Sequence, residues 1–205
     1  MFEMNGALII SAAVEGIVDE AVAQKLIIEA GGRPGPIFGK NGKAFLRQKI
    51  QGFNNAARRW PWLVLVDLDN DADCPPPFCE TWMPDPAPYL CFRVAVREVE
   101  AWLMGDADSL ASFLGVGRNR IPADPEQLDD PKREMVNLAR RSRRLAVRRD
   151  MVPREGSGRS VGPAYASRLI EYVQTSWRPE TASGQSESLR RAIACLRWMM
   201  KKVSQ

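Results

Sequence analysis

Residues 62–66, Trp-Leu-Val-Leu-Val, run straight into Asp67-Leu-Asp69-Asn-Asp71-Ala-Asp73. A short unbroken apolar run rich in Val and Leu fits a strand buried on both faces, as in parallel sheets covered by helices. Alternate residues along a strand share a face. Asp67 and Asp69 are therefore expected to leave the end of a core strand pointing the same way. Two carboxylates so held repel, which lifts one pKa unless a cation lies between them. Hard divalent cations such as Mg²⁺ take oxygen ligands of this kind and complete their shell with water and substrate phosphates. An acidic, solvated loop ending a strand would give the same pattern, so this stretch alone leaves both readings open.

The other apolar segments supply a frame for that strand. Residues 7–14 read as a first strand, ending at Glu15-Gly16. From Val18 the period changes to that of a helix, with Val18, Ala21, Val22, Leu26 and Ala30 on one stripe, stopped by Gly31-Gly32. Residues 34–38 read as a short strand or an extended connector, and residues 44–59 as a second helix. Residues 74–88, with six prolines, read as a loop. Residues 89–96 form a further strand, followed by a helix carrying Val99, Trp102 and Leu103 and another over 107–114. This order predicts an α/β core over residues 1–115, a largely parallel, Rossmann-like sheet flanked by helices. After Gly115 no strand signal remains. Helices are expected over 132–149, 163–175 and 187–202, making residues 116–205 a basic helical region packed on the core.

Composition narrows the chemistry. The 205 residues include no histidine, which removes Ser-His-Asp and Cys-His catalysis and His-ligated zinc together. An enzyme built from this chain must use carboxylates, Lys, Arg, Tyr or Cys, or a metal. The cysteines Cys74, Cys79, Cys91 and Cys195 form no C-x-x-C pair; their spacing suits a zinc site poorly, and reduced thiols are the default. Net charge is +4, but unevenly spread: +3 over residues 1–65, −10 over 66–130 and +11 over 131–205. An acidic centre beside a basic end suits a site that collects cations next to a surface that collects phosphates, unless the two simply neutralise each other in the fold. Arg140, Arg141, Arg143, Arg144, Arg148 and Arg149 form the densest basic run and a candidate nucleic-acid contact; a solvated face is the alternative. Lys43 follows Gly39-Lys40-Asn-Gly, but the spacing fails the P-loop pattern and no Ser/Thr follows it. A phosphate contact from Lys40 or Lys43 and an exposed lysine are the two readings left. No segment is long and apolar enough to span a bilayer, and the N-terminus lacks the basic region of a signal peptide, so a cytoplasmic protein is expected.

Val14-Glu15-Gly16-Ile-Val-Asp19 before a helix, with Asp67-Leu-Asp69 at the end of a later strand, resembles the Toprim domain of topoisomerases, bacterial primases, recombination proteins and OLD-type nucleases. Arg93-Val-Ala-Val-Arg-Glu98-Val-Glu100-Ala-Trp-Leu-Met-Gly-Asp106 and the later Asp130-Pro131-Lys132 are similar to small Toprim-like proteins of the DUF4276 type. The resemblance covers roughly residues 7 to 135. It implies that Asp67 and Asp69 bind Mg²⁺ or Mn²⁺, with Glu15 as a ligand or general acid/base. Asp71 and Asp73 would hold a second ion or belong to a solvated loop. Glu100 would complete the metal shell or lie on a helix surface, with Glu98 a weaker candidate. Asp19 matches the family's acid one turn into the helix, where a cap is its plainer role. Topoisomerase work needs a tyrosine-bearing domain for which this chain has no room, and primase work normally needs a zinc module. What the resemblance leaves is a metal-dependent nuclease acting on DNA or RNA, an effector of antiphage defence of the kind encoded beside an ABC-type or AAA ATPase. The other reading is a non-catalytic metal- or nucleotide-binding subunit working with such an ATPase. Oligomeric state is left open, a homodimer included.

Overall fold

A computed structural model describes residues 7–203. Strand β1 (Ile9–Val14) leads through helix α1 (Ile17–Glu29) to β2 (Arg33–Gly39) and through α2 (Lys43–Ala56) to β3 (Trp62–Asp67). Helix α3 (Pro75–Trp82) precedes β4 (Leu90–Ala95), and then come α4 (Val99–Met104) and α5 (Ala107–Leu114). The four strands form one all-parallel sheet in the order β2-β1-β3-β4. This is a doubly wound, Rossmann-like arrangement, as the alternation of strands and helices predicts.

Every residue of β3 is buried, in keeping with a strand covered on both faces. Side-chain alternation sorts the two cores. Ile10, Ala12 and Val14 of β1, with Leu63 and Leu65 of β3, pack against α1 and the helices that follow β4. Ala13, Trp62, Val64 and Val66 face the other way, against Leu46 and Ile50 of α2 and Phe78 and Trp82 of α3. Asp67 has the parity of Leu63 and Leu65, so it is aimed at the layer of α1 and α4.

The remaining helices are α6 (Pro131–Arg140), α7 (Leu145–Met151), α8 (Tyr165–Thr175), α9 (Pro179–Ala182) and α10 (Glu187–Val203). Leu138, Leu169, Tyr172, Leu189, Ile193 and Leu196 lie in the same apolar core as Ile10 and Leu63. The basic C-terminal helices thus share one face of the sheet with the N-terminal half.

Two local expectations change and one open alternative is settled. The proline-rich residues 74–88 hold a helix, because Pro75 and its neighbours occupy the first turn, where no backbone N–H is needed. Phe78 and Trp82, four residues apart, then bury on one side. The helix expected over 132–149 is two helices. Buried Ser142 donates its hydroxyl to the carbonyl of Leu114 and accepts from the Arg144 amide at 2.9 Å, so its side chain takes the place of helical bonds. Residues 34–38 form a true strand in spite of two prolines, since β2 is an edge strand with an irregular register beside Ile10 and Ala12.

Gly39 ends β2 at φ +92°, and a Cβ there would run into the Val14 carbonyl oxygen. Gly39→Ala is expected to cost about 3 kcal/mol from left-handed strain and that clash. At this chain length the expected drop in Tm is roughly 6–12 °C. A wild-type melting curve for the variant would refute the account of this turn.

Candidate active site

The chain leaves β1 in one direction to reach β2 and returns past it to β3. Ligands of open α/β sheets bind at such a switch point, outside the carboxyl ends of the strands. Glu15 and Asp67 lie there, at the ends of β1 and β3. Glu15 Oε1 accepts a hydrogen bond from the Asp67 amide at 2.9 Å. Asp67 Oδ1 accepts from the Val99 amide at 3.0 Å, one of the orphan N–H groups of the first turn of α4. The carboxylate that closes β3 therefore also fixes the start of α4.

That short helix brings in Glu100, which is 2% exposed and accepts from the Tyr165 hydroxyl at 3.1 Å. Asp130 caps α6 through the Arg133 amide at 2.7 Å, and Pro131 fills the next position, which sets Lys132 in the first turn. Lys132 Nζ lies 2.6 Å from Glu98 Oε1 and 3.9 Å from Glu100 Oε1. From α1 comes Asp19, 6% exposed, whose Oδ1 is buried and has no hydrogen-bond partner. A Cβ on Gly16 would stand 2.9 Å from the other oxygen of Asp19, so glycine before α1 leaves room for this carboxylate.

Five carboxylates thus share one edge of the sheet with two ammonium groups, Lys43 near Glu15 and Lys132 near Glu98 and Glu100. Burial, first of all, pushes Glu15 up to about 7; the Asp67 amide and Lys43 resist, while Asp19 and Asp69 add to the rise. Burial also pushes Glu100 up to about 7, against Lys132 and with Glu98 and Asp19. Asp67 is lifted well above the usual carboxylate range by burial and then by Asp19, Glu100 and Glu15. Asp19 is raised by burial, with its own amide and that of Gly16 opposing. Burial disfavours the charge on Lys132, yet Glu100 and Glu98 outweigh it and its pKa rises. Lys132 and Glu100 thus report their contact with opposite emphasis. For Glu100 burial decides, because its side chain is only 3% exposed against 39% for Lys132.

The candidates named from sequence fall into three groups. Glu15, Asp67 and Glu100 come together, and Asp19 and Glu98 join them. Asp69 and Asp71 stand one step outside. β3 ends at Asp67, and Asp69 adopts φ +49°, so strand alternation no longer governs its direction. Lys43, instead of waiting for a phosphate, holds the carboxylate of Asp69 and reaches Asp71 at 2.8 Å. Asp73 is exposed. Among the described residues no three acidic or thiol side chains are already placed as a metal-ligand set.

The arginine run is a third group. It starts at the far end of α6, about 12 Å of helix rise from Lys132. Arg144 donates to the Phe113 carbonyl at 3.1 Å and Arg148 to that of Ser142. Arg140 bonds Asn137 at 3.1 Å and Arg149 bonds Asp150 at 3.3 Å. Arg141 and Arg143 are exposed. The cations beside the acidic cluster are others. A cavity of about 440 Å³ next to it is lined by Asp69, Arg97, Glu98, Asp130, Lys132 and Arg133. Asp130-Pro131 was the signal for Lys132, as a cap before a first-turn cation. Tyr165 has no local signal, because only the packing of α8 carries it to Glu100.

A group whose folded pKa is raised adds stability below its unfolded pKa and loses it as pH climbs through the folded value. For Glu100 that window runs from its ordinary 4.5 to about 7. Chelated protein is therefore expected to lose stability across it. Glu100→Gln should flatten the loss by about 3 kcal/mol at most. Urea unfolding at about pH 5 and about pH 8 measures this. Equal losses in variant and wild type would contradict the burial argument.

The fold and site define a class, a parallel α/β protein with a buried carboxylate cluster at its switch point. Comparison of the chain with family models, with curated proteins and with solved structures gives no match.

Proposed function

We propose that this protein is a Mg²⁺- or Mn²⁺-dependent nuclease that hydrolyses phosphodiester bonds in DNA or RNA. The observation that carries the reading is the unpartnered, buried Oδ1 of Asp19 inside a cluster with more carboxylates than lysines. A buried carboxylate oxygen with no hydrogen bond is costly, and a divalent cation beside it removes that cost. Asp19, Asp67 and Glu100 would hold the ion, with Asp69 within reach of the same edge and Glu15 beside them as the base. Bound there, a metal ion supplies charge neutralisation at the phosphodiester and an activated water.

The chain's own groups supply the rest. Arg97, Lys132 and Arg133 line the adjoining cavity and suit the phosphates on either side of the scissile bond. Glu15, with Oε1 engaged by the Asp67 amide, keeps Oε2 to take a proton from water. Burial raises its pKa to about 7 before a cation enters, which favours proton uptake at this carboxylate. The resemblance to Toprim nucleases points the same way. The ATPase partner and the defence setting come with that resemblance alone. Lys43 and Lys132, which already engage four carboxylates, favour a second reading: a metal-binding subunit that a partner controls.

The test is incubation of purified protein with supercoiled plasmid, single-stranded DNA and tRNA, in Mn²⁺, in Mg²⁺ and with chelator. Cleavage that needs the metal is the expected result. Saturable Mn²⁺ binding without cleavage of any substrate would favour the second reading, and absence of both would sink each of them.

A further inference from the structure

At the start of β4, away from the strand end that carries the acidic cluster, α10 packs on the face of the sheet it shares with α1, and the Cys91 and Cys195 thiols lie within hydrogen-bonding reach of each other. Cys91 of β4 is completely buried, while Cys195 of α10 is half-buried and packs on the same core. Cys195 also lines an open cavity of about 510 Å³ together with Arg93, Arg191, Trp198 and Lys202. Arg93 follows Cys91 by two residues on β4, and its buried Nε has no hydrogen-bond partner. We propose that Cys91 and Cys195 are an oxidisable dithiol, with Cys195 the thiolate that reacts with hydrogen peroxide and Cys91 the thiol that resolves it. The site is independent of the metal reading and shares no residue with it.

The electrostatics agree with this division. A hydrogen bond from Cys91 and then the Arg93 guanidinium pull Cys195 down to about 6, against burial. Burial, and then its neighbour Cys195, push Cys91 well up. Cys79 is pushed up by burial too, which leaves it unreactive. A thiolate reachable from a cavity beside a protonated resolving thiol is the arrangement of redox-sensing cysteines.

The step balances. The Cys195 sulfur attacks one peroxide oxygen; the S–O bond forms, the O–O bond breaks, and the leaving hydroxide becomes water. The Cys91 sulfur then attacks the Cys195 sulfenic acid. The S–S bond forms, the S–O bond breaks, and the hydroxide leaves with the Cys91 proton as a second water. Two thiols lose two electrons and one peroxide is reduced to two waters. The bond joins β4, which runs on into Glu98 and Glu100, to α10, whose Ser188 hydroxyl accepts from the Val96 amide at 3.3 Å and from Trp102 Nε1 at 2.6 Å.

The experiment uses the reduced full chain under native conditions. After hydrogen peroxide, peptide mapping without reductant is expected to find a Cys91–Cys195 disulfide, with exposed Cys74 still open to alkylation. In Cys91→Ser, dimedone is expected to label Cys195. In the wild type, alkylation of Cys195 should show a pH midpoint near 6. A Cys91–Cys195 link that forms only after unfolding would overturn the proposal. A Cys195 midpoint in the ordinary thiol range of about 8.5 would do so as well, and it does not depend on any variant folding.

Discussion

Asp67→Asn is expected to keep the fold and to lose metal-dependent cleavage by at least about a hundredfold. The asparagine carbonyl can still accept from the Val99 amide at the position Asp67 Oδ1 now holds, so the start of α4 stays in place. What disappears is one negative charge from a buried cluster with Asp19, Glu100 and Glu15 close by. Because burial and those neighbours lift the Asp67 pKa, removing the charge relieves the chelated protein, and its Tm should stay equal or rise. Mn²⁺ binding followed by calorimetry should weaken in parallel with activity. Asp69→Asn provides the contrast. Asp69 is half-exposed and already engaged by Lys43, so a loss of about tenfold or less is expected. If Asp67→Asn cleaves as well as wild type, Asp67 is a structural acid and the proposed reaction has no centre. If the two variants lose activity equally, the pair acts as Asp-x-Asp motifs are expected to, and the structural distinction between them fails.

That distinction also shows where the sequence was readable. The run from Trp62 to Val66 could be read as a core strand because burial on both faces leaves no polar position in it. The ends of β1 and β3 could be read as the functional edge, because a carboxylate placed straight after an apolar strand has few other reasons to be there. Period alone could not foresee the fate of Asp69. The positive φ that turns it out of the strand is set by contacts with Arg97, whose carbonyl takes the Asp69 amide at 2.8 Å and whose side chain returns to the Asp69 carbonyl at 2.9 Å. Nor could it foresee that Lys132, distant in the chain, would become the counterion of Glu98 and Glu100. The arginine run shows the same limit. Clustered charge marks a basic segment, but which cation lies beside the acidic cluster depends on which turn of α6 reaches Glu98 and Glu100, and that turn is the first.

Lys132→Met carries the second large effect, and its sign separates two roles for the lysine. Methionine keeps much of the stem's packing and removes the ammonium. Glu98 and Glu100 are then left without their cation, and a half-broken buried pair costs about 3–5 kcal/mol when fully enclosed. Lys132 is 39% exposed, so the expected loss is nearer about 2 kcal/mol, read as a lower Tm in chelator. The same deletion leaves the cluster one charge more negative. Two unit charges about 4 Å apart interact by about 4 kcal/mol at an effective dielectric of 20. Even a third of that, set against an incoming cation, lowers the Mn²⁺ concentration for half-saturation about tenfold. Tight metal binding with cleavage lost would assign Lys132 to the substrate phosphate, as its place on the cavity wall suggests. Tight binding with faster cleavage at low Mn²⁺ would make it a latch that the metal must displace. Unchanged or weaker metal affinity would mean that no cation enters beside Glu98 and Glu100, and the carboxylate cluster would then be an ionic strut between α1, α4 and α6.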